Sequence, residues 1–285
     1  MKTVVVSDSK RSKKNSANKK APALIKISNN LCYDNTHEII GDVSRLILQY
    51  PKQLILDFSD VEVMDSSGLR ALLECRRMCE KANIELRLVS ISVCIARIIN
   101  MSGFGKTFGI SQMDPNNHQA LDLVNVDFEA QGWDIAEYVA TSDPSVIAIL
   151  RSKVRDAAVK AGARDDVLCD IQIAAGEALT NAFKHGSPVK GTDKITLRCM
   201  SCGRALVVEV EDEGTPFNPD AVAEPDPKLM RESGMGIYIM RQAMDAVEFQ
   251  SGCPGNKVRL VKRLDSEDAL NGKPEDSACQ LTLLT

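Results

Sequence analysis

The sequence predicts an α/β protein of two domains, and three observations lead to this prediction. Short apolar runs of strand character alternate with amphipathic segments of helical length along most of the chain. A chain of 285 residues is long enough for two ordinary domains with separate cores. A second alternating stretch begins near Asp127, after the turn residues Pro115, Asn116 and Asn117 and a short helix that ends the first stretch. Each half is therefore expected to combine a sheet with packed helices.

In the first half, hydrophobic periodicity predicts strands and helices in alternation. The strands are expected at residues 24–27, 53–57 and 84–90, and the helices at residues 35–49, 67–82 and 92–101. A short helix at 118–124 follows the Pro115 turn and closes this domain, which is placed at residues 22–125. Residues 1–21 carry clustered Lys and Arg with little to bury, which predicts a disordered basic tail.

The second half is placed at residues 126–264 and is expected to begin with a strand at 126–128. A helix at 144–161 is predicted to have Asp143 as its N-cap and Gly162 as its stop signal. The remaining elements are a helix at 165–185, strands at 194–199 and 205–212 joined by a turn at Gly203, an irregular segment at 213–233, a helix at 236–244, and strands at 246–251 and 257–263. Residues 265–285 form a polar tail.

Composition excludes several classes of function. The net charge of −4 and the 4% aromatic content argue against a direct nucleic-acid partner. No apolar segment approaches the ~20 residues that cross a bilayer, and the N-terminus lacks a secretory signal, so no membrane association and a cytoplasmic location are expected. The 9 cysteines are scattered, and the pair Cys199 and Cys202 lacks the second pair of ligands that a zinc ribbon requires. A strand end running into a turn is the preferred interpretation of that pair.

The second long helix carries polar residues at helical spacing. Glu177, Asn181 and Lys184 project from one face, because they are four and seven residues apart. A carboxylate and an amide at this spacing suit a base and a ligand of Mg²⁺, which prefers hard oxygen donors. On spacing alone, an exposed polar stripe is the preferred explanation of the same pattern.

Two glycine-containing fragments follow on the chain. Asp212 ends an apolar strand and is followed by Gly214, which suits an acceptor for a nucleobase amino group beside a close backbone approach. Gly234 and Gly236 open a helix, where bare N–H groups favour phosphate oxygens. Taken singly, the first fragment also fits an ordinary turn and the second an ordinary helix cap.

The order of these fragments resembles the N, G1 and G2 boxes of the GHKL (Bergerat) ATPase fold, an α/β sandwich. The string GEALTNAFKHG is most similar to the anti-sigma factor serine/threonine kinases. The long helix before it and the short irregular segment at 213–233, which corresponds to the ATP lid, fit the same family. The resemblance implies that Glu177 is the catalytic base, that Asn181 is the Mg²⁺ ligand, and that ATP and Mg²⁺ are the cofactors. It also implies that Asp212 and Gly214 bind adenine, and that Gly234, Gly236 and Lys184 bind phosphate.

Other members of that superfamily fit less well. A histidine kinase needs a phosphoacceptor histidine on a separate dimerisation helix, but the chain has only His37, His118 and His185, and His185 ends the nucleotide-site helix. Gyrase, mismatch-repair and chaperone types need a large domain after the ATPase, where this chain has a short tail. Phosphorylation of serine is therefore the expected reaction.

The first half contains the stretch VMDSSGLRAL, with two serines where a strand becomes a helix. With the later NMSGF, it resembles the STAS domain of anti-sigma factor antagonists. The resemblance implies that Ser66, directly after the aspartate, is the phosphoacceptor, and a helix N-terminus suits a phosphate. The alternative is that Ser66 or Ser67 only caps the helix.

The whole chain is thus expected to be a partner-switching serine kinase fused to a STAS domain. Its substrate is expected to be its own Ser66 or a separate antagonist. The resemblance implies as partners a sigma factor, STAS-containing antagonists and a cognate serine phosphatase, and it implies a homodimer. A non-catalytic scaffold that senses nucleotide and docks sigma-pathway regulators through its STAS domain is the alternative.

Overall fold

The computed structural model describes residues 22–49, 51–110, 133–187, 189, 191–202, 205–222, 234–252 and 255–264. These residues form two compact units, one before residue 111 and one after residue 132. Several predictions lie outside the described residues: both tails, the helix at 118–124, the strand at 126–128, the boundary between residues 125 and 126, the turn at Gly203, and residues 223–233 of the irregular segment.

The first unit contains a parallel sheet with strand order β1-β2-β3. Its strands are β1 (Ala23–Lys26), β2 (Gln53–Asp57) and β3 (Glu85–Val89). Its helices are α1 (Thr36–Ile47), α2 (Ser66–Lys81) and α3 (Val93–Met101). A helix connects each pair of neighbouring strands, as parallel pairing requires. The predicted strands and helices are confirmed to within two residues at each end.

The second unit contains an antiparallel sheet with strand order β4-β5-β6-β8-β7. Its strands are β4 (Asp134–Thr141), β5 (Lys194–Ser201), β6 (Ala205–Asp212), β7 (Ala246–Ser251) and β8 (Asn256–Arg263). Its helices are α4 (Pro144–Lys160), α5 (Asp165–Lys184) and α6 (Met235–Ala243), and α5 packs against the central strands β6 and β8. A short 3-10 turn, Pro219–Ala221, interrupts the irregular segment. The arrangement is consistent with a GHKL fold.

Predictions for α4 to α6 and for β5 to β8 are confirmed to within two residues, but strand β4 was not predicted. On this edge strand the apolar Ile135 and Val139 point outward and are 53% and 56% exposed. The usual alternation of buried apolar and exposed polar residues is therefore lost, and with it the signal for a strand. At α4, Asp143 is the N-cap through a 2.9 Å bond from the Ser145 N–H, and Gly162 has φ +97° beyond the helix end, both as predicted.

Charged side chains cross the sheet of the second unit in a row. The register places Glu137, Arg198, Glu209, Arg259 and Glu248 side by side on β4, β5, β6, β8 and β7. Acid and base alternate along the row, with N–O distances from 2.5 Å to 3.7 Å. Such pairs each contribute about 0.2–1 kcal/mol and disfavour slipped registers. The row lies on the face opposite α5 and α6, since successive strand residues alternate between faces.

Candidate functional site

Helix α5 presents the predicted polar residues toward the interior of the second unit. Glu177 is 1% exposed, while Asn181 and Lys184 are half-buried. A solvated stripe would leave the carboxylate in water, so that alternative does not describe Glu177. Carboxylates are rarely this buried, which makes Glu177 a candidate functional residue.

The start of α6 lies directly against this carboxylate. A Cβ atom on Gly236 would stand 2.6 Å from Glu177 Oε2 and 3.6 Å from Asn181 Nδ2, so only glycine leaves the space open. Gly234 precedes the helix with φ +80°, a left-handed conformation that glycine adopts without strain. The first N–H groups of α6 have no acceptor within the helix. The structure thus brings the polar residues of α5 and the fragment with Gly234 and Gly236 to the same point.

Asp212 is held in one orientation at the end of β6. Its Oδ1 accepts hydrogen bonds from the Gly214 N–H and from Asn256 Nδ2, both at 2.9 Å. Asn256 is oriented in turn, because its Nδ2 also donates to the Thr215 carbonyl and its Oδ1 accepts from the Phe217 N–H. Both bonds to Asp212 fall on Oδ1, which leaves Oδ2 to accept a hydrogen bond from a ligand.

Glycines allow the backbone to approach Asp212 from two sides. A Cβ on Gly186, just after α5, would overlap the Asp212 carboxyl group, and one on Gly214 would stand 2.5 Å from the Cα atom of Gly186. Gly255 has φ +83°, and a Cβ there would overlap the Asp212 carbonyl. These contacts pack the backbone closely around Asp212 and restrict where its carboxylate can lie.

The sequence predictions assigned no site role to Gly186, Gly255 or Asn256. Gly186 follows a helix end, where a glycine is explained by capping alone. Asn256 lies 44 residues from Asp212, and no motif links them. Their relation to Asp212 comes from the pairing of β6 with β8, in which Asp212 stands opposite Asn256.

Alanine at position 186 is expected to weaken ATP binding by roughly tenfold or more, because its methyl group would displace the Asp212 carboxylate by more than a hydrogen bond tolerates. Gly252→Ala is the matched control, since a Cβ there meets nothing within 4 Å. Titration calorimetry of both variants with ATP provides the measurement. Equal affinities in the two variants would place the ligand elsewhere.

The residues present fit a nucleotide with a divalent cation. Glu177 lies in the second half of α5 and Gly186 just beyond its end, roughly 13 Å away along the helix direction, with Asn181 between them. Within the described ranges, no three acidic, histidine or cysteine side chains come together as a metal cluster. A Mg²⁺ ion would therefore be held by Asn181 together with phosphate oxygens and water, a mode that Mg²⁺ favours.

Cys199 lies in the core of the second unit rather than at a surface site. It is 3% exposed, and burial raises the pKa of its thiol to about 12. Metal ligation requires the thiolate, which this environment disfavours at neutral pH. Cys199 lies in β5 and Cys202 directly follows its end, as the predicted strand end requires.

In the first unit, neither serine is the cap of α2. Asp65 is the N-cap, and its Oδ1 accepts from the N–H groups of Ser67 and Gly68 at 2.9 Å and 3.0 Å. The capping alternative for Ser66 and Ser67 is therefore wrong. Ser67 is buried, whereas Ser66 is half-buried at the first position of the helix. The hydroxyl of Ser66 thus stands where the helix dipole favours negative charge.

Gly68 has a packing role in the same motif. A Cβ there would overlap the Leu31 carbonyl and stand 2.8 Å from Met64 Cγ. Leu31 and Met64 form a parallel bridge beside the helix start. The glycine of the DSSG sequence therefore lets α2 begin close to this bridge, which holds the adjacent Ser66 in a defined place.

Comparison with known proteins accounts for both units. Residues 140–262 match the family model described as the histidine kinase-like ATPase domain, and residues 14–120 match that of the STAS domain. The serine-protein kinase RsbW of Bacillus velezensis is 29% identical over 147 residues, which are 49% of this chain and 91% of that protein. RsbW of Listeria monocytogenes serotype 4a is 30% identical over 114 residues, 37% of this chain and 72% of that protein. The chain belongs to the family of RsbW-type serine-protein kinases.

Two solved structures are also similar to parts of the chain. The RsbU and RsbW domains of a Mycobacterium tuberculosis protein give a TM-score of 0.36 at 16% identity, covering 46% of this chain and 32% of that one. The unphosphorylated anti-sigma factor antagonist SpoIIAA gives 0.28 at 22% identity, covering 32% of this chain and 80% of that one. By its two family models, the chain has a STAS domain followed by a histidine kinase-like ATPase domain.

The predicted site residues fall inside these matched regions. Those of the RsbW-type unit lie within residues 140–262, and Ser66 lies within residues 14–120. The described part of the chain contains no helix with the length and apolar character needed to span a membrane.

Proposed function

We propose that this chain is an ATP-dependent protein serine kinase of the partner-switching type, and that it phosphorylates a STAS-domain serine. The observation that carries the proposal is the meeting of Glu177, Asn181 and the opening of α6 at Gly236. This arrangement places a carboxylate, an amide and helix N–H groups around one space, as transfer of a phosphoryl group requires. The relatives named RsbW support the same reaction.

Each group has a distinct role in the proposed transfer. Asp212 Oδ2 accepts a hydrogen bond from the adenine amino group, and the N–H groups after Gly234, with Lys184, bind phosphate. Asn181 would hold a Mg²⁺ ion, which would neutralise phosphate charge. Glu177 accepts the proton of the serine hydroxyl as Oγ bonds to the γ-phosphorus. The bond from that phosphorus to the bridging oxygen breaks, and ADP leaves with the electron pair.

Ser66 is the proposed acceptor on this chain, and the equivalent serine of a separate antagonist is the other substrate. A phosphate adds about two negative charges, which would alter a surface that a partner has to approach. A sigma factor, STAS-containing antagonists and a serine phosphatase are the proposed partners. The proposal also includes a homodimer and a cytoplasmic location.

Incubation with Mg-ATP is expected to add one phosphate at Ser66, measured by intact mass and peptide sequencing. Ser66→Ala is expected to remove the modification, whereas Ser67→Ala retains it, because Ser67 is the buried neighbour. Phosphate found only at another residue would refute Ser66 as the acceptor. ATP binding without any transfer, to Ser66 or to added antagonist, would favour the scaffold alternative.

Mixing Glu177→Ala chains with Ser66→Ala chains tests the homodimer and the route of transfer. Neither variant is expected to become phosphorylated alone, because the first lacks the base but retains the acceptor, and the second lacks the acceptor but retains the base. Restored phosphorylation of the first chain establishes transfer between chains. A silent mixture with active wild type shows that transfer occurs within one chain, at the ~mM effective concentrations that a tether provides.

A further inference from the structure

A buried ion pair lies beneath the phosphate end of the proposed site. Lys262 on β8 and Asp170 on α5 are 3% and 0% exposed, and Lys262 Nζ is 2.8 Å from Asp170 Oδ2. The same ammonium group donates to the Ala243 carbonyl, the last residue of α6, at 2.7 Å. One lysine therefore links a strand and the two helices that form the phosphate end of the site.

The positions of these contacts on the two helices match those at the site. Asp170 precedes Glu177 by seven residues on α5, and Ala243 follows Gly236 by seven on α6. The two helices thus run antiparallel and are in contact at two points. On each helix these two points are seven residues, or about 10.5 Å, apart. Gly236 meets Glu177 at one point, and Lys262 joins Ala243 to Asp170 at the other.

We propose that Asp170 and Lys262 are positioning residues that set α6 so that its N-terminal N–H groups address the phosphates beside Glu177. The proposal rests on the kinase function proposed above. The ammonium group satisfies a carbonyl that the helix leaves unpaired, and it lies at the negative end of the α6 dipole. An apolar pair of similar volume often stabilises a core equally well, so this pair needs a reason other than stability. Control over the placement of α6 is that reason.

The test replaces both charges together, because one charge left alone in the core would destabilise the fold. Asp170→Leu with Lys262→Met removes the pair and the bond to Ala243. The matched control, Glu209→Leu with Arg259→Met, removes an ion pair from the opposite face of the same strand. Titration calorimetry measures the affinities for ATP and for adenosine, and circular dichroism verifies folding.

In the first double variant we expect ATP affinity to fall about tenfold and phosphate incorporation by up to about 100-fold, since small displacements of positioning groups have such effects. Adenosine affinity is expected to stay within about twofold, because the hydrogen bonds of Lys262 go to Asp170 and the Ala243 carbonyl and not to the residues around Asp212. Asp170→Asn with Lys262→Gln, which leaves no charge in the core, should show the same selective loss to a smaller extent and serves if the first double variant does not fold.

Equal losses for ATP and adenosine would indicate a general structural role and overturn the proposal, as would unchanged ATP affinity. The same selective loss in the control double variant would also overturn it. If the wild-type chain itself binds no ATP, the proposed function fails, and that result is distinct from a failure of the Lys262 contact.

Discussion

Replacing Glu177 by alanine is expected to lower phosphoryl transfer by about 10²–10⁴-fold, the usual contribution of a general base. ATP affinity should change little, because Asp212 and the N–H groups of α6 hold the nucleotide. Alanine is smaller than glutamate, so the substitution leaves the space beside Gly236 open to the phosphates. Single-turnover transfer to Ser66 and calorimetric titration with ATP measure the two properties separately.

Glu177→Gln distinguishes a base from a group that only orients the substrate. The amide keeps the size and one acceptor oxygen but does not take a proton at neutral pH. If the carboxylate is the base, Gln should be nearly as inactive as Ala. Glu213→Ala, an exposed carboxylate at the end of the neighbouring strand, serves as the control. Transfer at wild-type rate by either Glu177 variant would remove this residue from its proposed role.

The second large effect is expected for Asp212→Asn, which should weaken ATP binding by about 100-fold. The two donors on Oδ1, from Gly214 and Asn256, require an acceptor there, so the new side chain must place its oxygen at that position. Its NH₂ group then replaces Oδ2 and faces the amino group of adenine, donor against donor. A lost bond and an unpaired buried donor together cost about 3 kcal/mol, or two powers of ten in affinity.

A ligand without that amino group provides an independent measurement. If Oδ2 accepts from the adenine amino group, Asp212→Asn should lose its preference for ATP over GTP, because guanine has a carbonyl oxygen at the same ring position. Glu213→Gln is the matched control, since the Glu213 carboxylate accepts a hydrogen bond from the Lys194 N–H at 2.9 Å and has no role in the proposed adenine contact. Unchanged ATP affinity and preference in Asp212→Asn would refute the adenine assignment.

Local sequence patterns were sufficient to predict most of the helices and strands and part of the candidate site. Helix α5 could be predicted because its apolar residues and its polar trio recur at helical spacing, which depends only on the geometry of one helix. Glu177 and Asn181 share a face for the same reason. Strand β4 could not be predicted, because an edge strand with one face against the helices and apolar residues outside has no period-2 signal. Its place in the sheet depends on pairing with β5, more than fifty residues later on the chain.

By itself, the sequence determined the two α/β units, the order of the polar and glycine fragments, and the strand-to-helix junction that carries Ser66. Only the tertiary structure decided which groups surround those fragments. The cap of α2 is Asp65 and not a serine, because the position of the helix start selects the side chain that reaches its N–H groups. Asn256 reaches Asp212 through strand pairing, and Lys262 reaches Asp170 across 92 residues. Such contacts depend on how elements pack, and residue spacing along one element carries no information about them.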